Sequence, residues 1–390
     1  MSPRSLVVLL PLTLALAGAG APAVAHGSAV GSATSFTASP GQQQRGGDAH
    51  GTTATARMLL SDPGKVRARL TAHPGYHASL PQSPATAGSV AQCGPTAFDE
   101  WLAGTLGEFT SADFELLSAY AALDLPAYEA LLFGTSGDAR FALGADAKAL
   151  TKAHRKLRRF PDGSSDIQLL GMHGEMLLDR ERVARVYRLA FAMPDGDAEI
   201  MADGLAAFLT APRFRGGRHP IFTLNAFAMS FGDEEVPEIG KVPDKIVMGD
   251  GILQAYREMG YGDVAPQTIL AHEFAHHVQF ELGVVAPDTP EGTRRTELHA
   301  DAAAAYFLSH PRGASMQWKR VRQFLVVFSV IGDCHVESPG HHGTPAQRLR
   351  AADWGYRLQE RARPKGHVVA AEAFLSRFEG ALPDLLAAHR

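Results

Sequence analysis

The chain has few of the features that mark several common functional classes. Basic residues do not exceed acidic ones, with 37 Lys and Arg against 41 Asp and Glu, so nucleic acid is not indicated as a partner. After the N-terminus, no apolar run reaches the roughly 18 residues of a membrane span. Cysteine is scarce, with only Cys93 and Cys334 in 390 residues. These absences favour a mature protein that is soluble and has no integral membrane span.

The N-terminus has the features of an export signal. Arg4 precedes an apolar run from Leu6 to Ala17, and small residues follow at Ala23-Val-Ala25. We expect residues 1–25 to be a cleaved signal peptide, which predicts a secreted or extracytoplasmic protein of the cell envelope; an uncleaved anchor is the alternative. Residues 26–92 are rich in Gly, Ala, Ser, Thr, Pro and Gln, which predicts a disordered linker, a wall-spanning tail or a propeptide.

The remainder of the chain predicts an α+β fold that is mostly helical. Residues 93–215 are expected to form a helical subdomain, and residues 216–390 a second domain with a small sheet. Apolar periodicity predicts helices at 97–106, 111–123, 126–133, 146–157, 179–191 and 197–209. Two β-type runs, at 220–231 and 245–248, predict the strands of the sheet.

The most informative segment is His272-Glu273-Phe274-Ala275-His276. Histidines four apart lie on one face of a helix, so both imidazoles can reach one metal ion. Glu273 lies beside them, where a carboxylate can take a proton from a water activated by the metal. We predict that Asp263 caps this helix, that Pro266 lies in its first turn and that it stops at Gly283. The alternative is a surface helix whose histidines are incidental.

A second predicted helix, from Arg294 to His310 and closed by Pro311, carries the third ligand. Glu297 and Asp301 are four apart and share a face of this helix. Glu297 can complete a three-ligand zinc site that keeps its fourth position open. Asp301 can accept the ring N–H of a ligating histidine. The alternative is a solvated face on which both carboxylates pair with the neighbouring arginines.

These motifs resemble those of two known groups of peptidases. HEFAHHVQ, RRTELHADAAAAY and His342-Gly-Thr-Pro-Ala-Gln-Arg348 are similar, in that order, to motifs of the bacterial neutral zinc metallopeptidases. Leu224-Asn-Ala-Phe-Ala228, followed by residues 245–253, is similar to the NAFA segment of the CAAX prenyl protease and HtpX type. Both groups are gluzincins, and the resemblance lies within residues 220–355. It departs at Ala302, where the neutral peptidases usually have Cys.

The resemblance implies a zincin-like metallopeptidase domain over residues 216–390, with the small sheet beside the HExxH helix. It implies one Zn²⁺ per chain, held by His272, His276 and Glu297. These are the residues that the spacing of the two motifs also indicates.

The resemblance also implies roles for residues outside the metal ligands. His342 is the implied catalytic donor to the developing oxyanion, with Arg348 orienting it. The adjacent His341 is an alternative donor, and Tyr306 is the next candidate.

Substrate binding is implied for Asn225 and Ala226, on an edge strand that pairs with the substrate backbone. The alternative is that these residues belong to an ordinary buried strand.

The two cysteines have two interpretations. In an exported protein an even count favours a disulfide, here between Cys93 and Cys334. The alternative is a metal cluster of Cys334, His335, His341 and His342, although these residues lack the usual spacing of a structural zinc site.

Together these observations predict a secreted zinc metalloendopeptidase that acts on a protein or peptide. One alternative is a zinc-dependent hydrolase of a non-protein amide or ester, such as a cell-wall compound. The other is a non-catalytic zinc-binding protein.

Overall fold

The structure is a computed structural model that describes residues 95–160, 166–232, 235–236, 238–284, 289–330, 342–362 and 366–387. The predicted signal peptide and the predicted linker lie outside these ranges. So do both cysteines, His335 and His341, and with them the predicted disulfide and the alternative metal cluster.

The described chain is mostly helical with a small sheet, which confirms the predicted α+β class. The helices are α1 Ala97–Thr105, α2 Ser111–Ala119, α3 Leu125–Phe133, α4 Ala147–Leu157, α5 Arg180–Ala190, α6 Asp195–Phe208, α7 Asp250–Glu258, α8 Ala265–Glu281, α9 Pro290–Ser309, α10 Trp318–Val330, α11 Pro345–Ala362 and α12 Ala371–Leu386. The strands are β1 Gln168–Met172, β2 Ala226–Met229, β3 Glu235–Val236, β4 Gly240–Lys241 and β5 Lys245–Gly249.

The six helices predicted before residue 215 are present as α1 to α6, with small shifts at their ends. Helix α2 ends at Ala119, earlier than the predicted residue 123. The reason is Ala121, whose φ of 50° is left-handed and cannot continue a right-handed helix. The N–H of Ala122 then donates to the carbonyl of Leu117 at 2.8 Å, which satisfies a helix end in the manner of a C-terminal cap.

The main sheet has three strands in the order β1-β5-β2. Strand β5 is buried along its whole length, lies parallel to β1 and lies antiparallel to β2. Because β2 is the last strand in this order, it forms an edge of the sheet.

The predicted strand over 220–231 is too long. Only Ala226–Met229 pairs with β5, and Pro220–Thr223 forms a 3-10 turn. Two features favour the turn: proline fixes its own φ near −65°, and Nδ1 of His219 accepts the N–H of Ile221 at 3.3 Å.

Helix α8 carries the HExxH segment and differs from the prediction at its start. Its N-cap is Val264, which makes no side-chain capping bond. The predicted cap, Asp263, instead pairs with Arg320 at 2.6 Å on α10, a partner that local sequence does not reveal. The end is as predicted, because Gly283 adopts a φ of 66° and the next N–H donates back to the Gln279 carbonyl at 2.9 Å.

Helix α9 begins at Pro290, before the predicted Arg294. Thr289 is its N-cap, with Oγ1 accepting the N–H of Gly292 at 3.1 Å, and Pro290 occupies the first turn, where its missing N–H costs nothing. The helix ends at Ser309, just before His310 and Pro311, close to the predicted end.

Helices α8 and α9 lie in the interior. Helix α8 packs against α4, α9 and β2, and α9 packs against α11. The approach of α9 to α11 is very close at Gly355, where a Cβ would lie 2.0 Å from the carbonyl oxygen of Ala302. Within the described ranges, no helix is both long and apolar enough to cross a membrane.

Candidate metal centre

Helices α8 and α9 bring the candidate ligands together in a cleft. His272, Glu273 and His276 come from α8 and Glu297 from α9, and they are only 7, 7, 2 and 4% exposed. The cleft is also lined by Asn225, Ala226, Phe227, Thr268, Ile269, Val327, Phe328, His342 and Arg348. Its volume, counted with the open solvent at its mouth, is about 560 Å³.

Three of these side chains form a group that could bind a metal ion, namely His272, His276 and Glu297. The two Nε2 atoms lie 3.1 Å apart. Each Nε2 lies 3.3 Å from one oxygen of the Glu297 carboxylate. Two imidazoles and a carboxylate therefore point at a common position.

The other ring nitrogens of both histidines face acceptor oxygens. Nδ1 of His276 lies 3.0 Å from Oε1 of Gln279, an acceptor. Nδ1 of His272 lies 2.9 Å from Oδ1 of Asp301, in bent geometry. Because both Nδ1 atoms face acceptors, imidazoles that bound a metal through the Nε2 lone pairs would keep their Nδ1 protons paired. Two lone pairs and a carboxylate then converge, an arrangement that a cation stabilises, so these residues fit a metal.

A buried ion pair between Arg348 and Asp301 contacts the candidate ligand His272. The Arg348 guanidinium, from α11, donates to both Asp301 oxygens at 2.8 and 2.7 Å. Both side chains are almost completely buried, and Asp301 in turn faces His272. Asp301 thus has the predicted position, next to the ring nitrogen of a candidate histidine ligand. The sequence predicted that Arg348 orients His342; the structure shows Asp301 as a partner that the sequence did not indicate.

Gln279 is the residue that sequence reasoning missed. It lies one turn after His276 on α8, with Oε1 toward Nδ1 of that histidine. Its Nε2 donates to the Thr296 carbonyl at 2.8 Å and to Nδ1 of His299 at 2.9 Å. The i, i+3 spacing in HHVQ was the available signal. That spacing alone could not identify the role of Gln279, because its other two hydrogen-bond partners, the Thr296 carbonyl and His299, lie on α9.

The charges of the site are set by burial and by close neighbours. Burial opposes ionisation of Glu297, but His342, His276 and His272 hold the pKa of its carboxyl well below its usual range. Burial raises the pKa of Glu273, and the nearby histidines only partly offset this. The site therefore holds a firmly ionised carboxylate beside one that takes up a proton more readily.

The edge strand β2 and His342 complete the cleft. Asn225 and Ala226 line it and are half-buried, and Ala226 is the first residue of β2. His342 lines the same cleft and is close enough to Glu297 to lower its pKa. The structure therefore brings together, apart from Tyr306, the described residues to which the sequence assigned a site role. Tyr306, the last alternative donor, lies elsewhere: its hydroxyl accepts the N–H of Val369 at 2.9 Å in a separate apolar cluster.

A second group of potential ligands lies outside the cleft, comprising His173, Glu175 and Asp250. Nδ1 of His173 lies 2.6 Å from Asp250, and Nε2 lies 2.9 Å from the Ala142 carbonyl. Glu175 pairs with Arg218 at 2.9 Å. Unlike the cleft group, this group is not buried, because Glu175 and Asp250 are exposed and His173 is only half-buried.

Comparison with known proteins gives no match to a protein-family model, to a curated protein or to a solved structure. The conclusions that follow therefore depend on the site itself. That site is a buried group of two histidines and one glutamate that could hold a metal ion, in a cleft that is also lined by the Glu273 carboxylate and by an edge strand.

Proposed function

We propose that this chain is a secreted zinc metalloendopeptidase of the gluzincin type, with a zincin-like catalytic domain. The observation that carries the proposal is the buried convergence of His272, His276 and Glu297, with Glu273 beside them, in a cleft bordered by an edge strand. The resemblance of the HExxH, ELHAD and HGTPAQR segments to zinc peptidases supports the same conclusion.

Zinc is the metal that suits this ligand set. Catalytic zinc sites use three protein ligands, often two histidines and a glutamate, and keep a fourth position open. Here His272 and His276 would bind through Nε2, and Glu297 through its carboxylate. Zinc bound there lowers the pKa of a water molecule and polarises a carbonyl group.

Glu273 is the general base in this proposal. It lies on α8 beside both histidines and lines the cleft, but it is not one of the three converging ligands. It accepts the proton of the attacking water and passes it to the leaving amine. Its raised pKa favours this role, because a base works best when its pKa approaches the working pH.

Two further features suit a peptide substrate. Strand β2 is the last strand of the sheet and lies beside the cleft, so an extended peptide could add to it as a further strand next to Asn225 and Ala226. His342 lies at the same cleft and would donate to the oxyanion that forms when water adds to the peptide carbonyl. We propose no nucleic-acid partner, because the chain has no basic excess.

The test is an unbiased peptide-library digest with the purified chain, with a chelator and after zinc is restored. We expect cleavage that the chelator abolishes and that zinc restores. Parallel assays with amide and ester compounds of the cell wall address the alternative hydrolase. Cleavage of those compounds without peptide cleavage would contradict the peptidase. Zinc binding without hydrolysis of either substrate class would show a non-catalytic zinc-binding protein.

A further inference from the structure

The side chain of Gln279 joins the two helices that carry the candidate ligands. It extends from α8, one turn after His276, and is almost completely buried. Its Oε1 lies 3.0 Å from Nδ1 of His276 on the same helix. Its Nε2 donates to the Thr296 carbonyl at 2.8 Å and to Nδ1 of His299 at 2.9 Å, both on α9. One buried amide thus connects a candidate ligand on α8 with the backbone of α9.

The orientation of the Gln279 amide follows from these partners. The Thr296 carbonyl can only accept a hydrogen bond, so the amide nitrogen faces α9 and the amide oxygen faces His276. The second N–H of the same nitrogen points to His299. Reversal of the amide would bring its oxygen against the Thr296 carbonyl oxygen, so the amide is held in one arrangement.

The hydrogen bond to α9 ends beside the third candidate ligand. The Thr296 carbonyl belongs to the peptide group that joins Thr296 to Glu297, so the bond from Gln279 restrains the backbone from which the Glu297 side chain extends. One oxygen of that carboxylate lies 3.3 Å from Nε2 of His276. The same amide therefore restrains His276 through its ring and Glu297 through its backbone.

The other candidate histidine has a different support. Nδ1 of His272 faces Asp301, a charged carboxylate that belongs to α9. Metal-binding histidines usually donate their second ring N–H to a carboxylate, a backbone carbonyl or water. A carboxylate can only accept, whereas the neutral amide of Gln279 accepts from His276 and also donates to α9. Glutamine at this position can therefore support a histidine and connect the two helices at once.

We propose that Gln279 is a positioning residue of the metal site. Its oxygen accepts from Nδ1 of His276, which keeps the ring turned with Nε2 toward the ion. Its nitrogen donates to α9, which keeps Glu297 within reach of the same ion. The inference rests on the proposed metal site, but it does not depend on peptidase activity.

The first test measures the zinc affinity of the full chain by competition with a chelator of known affinity. Gln279→Met keeps the length of the side chain and removes its hydrogen bonds, so the affinity should fall by about 10–100-fold. Gln279→Glu keeps an oxygen opposite His276 and loses the donated bonds, so its affinity should lie between the two. Gln267→Met makes the same change at a half-buried position of α8 outside the cleft, and it should bind zinc like the parent.

A second measurement separates positioning from a general loss of structure. NMR of the zinc-loaded protein with isotope-labelled histidine observes the imidazole N–H protons. The Nδ1 protons of His272 and His276 should both be visible in the parent, because both rings are buried and both Nδ1 atoms face acceptors. Gln279→Met should shift or remove the His276 signal and leave the His272 signal in place, since Asp301 is still present. A urea denaturation curve shows whether each variant is folded.

Several results would overturn the proposal. Equal zinc affinity of the parent and of folded Gln279→Met would show that the amide does not position the ligands. If Gln279→Met does not fold, equal affinity of the parent and Gln279→Glu would remove the role of the donated bonds. A shift of both histidine signals in Gln279→Met would indicate a general rearrangement instead of positioning. A parent that binds no zinc would contradict the proposed function as well, whereas the other results contradict this inference alone.

Discussion

Two groups of side chains in the described chain have ligand atoms within 4.8 Å of one another, yet only one of the two groups is buried. In the cleft group, His272 and His276 turn their Nδ1 atoms to acceptors and their Nε2 atoms toward each other and Glu297. The other group has a single histidine, His173, whose Nδ1 faces the exposed Asp250 carboxylate and whose Nε2 faces a backbone carbonyl.

The difference shows that close ligand atoms do not by themselves make a metal site. In the cleft, two Nε2 atoms point at one carboxylate, and a separate acceptor faces each Nδ1, which is the usual arrangement of metal-binding histidines. Burial differs as well: the cleft ligands are buried, whereas Glu175 and Asp250 are exposed. The following predictions compare matched changes in the two groups.

The largest effect on turnover is expected for Glu273→Gln. This change keeps the size of the side chain and removes the proton acceptor, so hydrolysis should fall by about 10²–10⁴-fold with zinc retained. Glu175→Gln in the exposed group is the matched control and should leave turnover unchanged. Steady-state kinetics with zinc-loaded protein provides the measurement. Nearly normal turnover of Glu273→Gln would show that another residue takes the proton.

His342→Ala should have the next largest effect. A donor that acts only on the developing oxyanion stabilises the transition state, so kcat should fall by about 10²–10³-fold with little change in KM or zinc content. His341→Ala and His173→Ala are the controls, and both should be nearly normal in kcat. Loss of zinc from His342→Ala would instead identify a ligand, and normal rates in all three variants would place the donor elsewhere.

Asp301→Asn should weaken zinc binding by about 10–100-fold without abolishing it, because Asp301 supports a ligand and does not bind the ion. Asp250→Asn makes the same change beside His173 and should leave zinc affinity unchanged. Competition with a chelator of known affinity gives both values. Since Arg348 loses its charged partner in Asp301→Asn, a urea denaturation curve must show that this variant is folded. Complete loss of zinc from a folded variant would make Asp301 a ligand.

The smallest expected effect is on the pH dependence of folding stability, through His173 of the exposed group. The hydrogen bond to Asp250 raises the pKa of His173 above 6.5, with the Ala142 carbonyl adding to this and burial opposing it. Because the folded-state pKa is the higher one, the stabilisation is fully present below pH 6.5 and is lost as the pH rises through the raised pKa.

Free energies of unfolding for the parent and Asp250→Asn, measured in urea at pH 5.5 and 9, test whether this stabilisation is lost as the pH rises. The parent should be the more stable protein at pH 5.5, and the difference should shrink at pH 9. A partly exposed pair contributes only about 0–1 kcal/mol. A difference that grows with pH would contradict a raised pKa of His173.

The sequence predicted the parts of the site that depend on local spacing. The i, i+4 histidines share a face of α8, and Glu297 and Asp301 lie on α9, because helical periodicity alone fixes these relations. Gly283 marked the helix end for an equally local reason, its left-handed φ.

Features that depend on distant partners could not be read from the sequence. Asp263 is of a residue type that often caps helices, but its side chain pairs with Arg320, which lies far along the chain. Arg348 reaches Asp301 only because α11 packs closely on α9 at Gly355. The role of Gln279 emerges only when α9 supplies its partners. In each case tertiary packing decides between partners that are equally compatible with the local pattern.

The central claim is that the cleft group binds one zinc ion and the exposed group binds none. Elemental analysis of the purified parent, His276→Ala and His173→Ala, each dialysed against the same buffer and shown to be folded, tests this claim directly. We predict one zinc per chain in the parent and in His173→Ala, and none or nearly none in His276→Ala. Equal zinc in the parent and in His276→Ala, or loss of zinc from His173→Ala alone, would contradict the account.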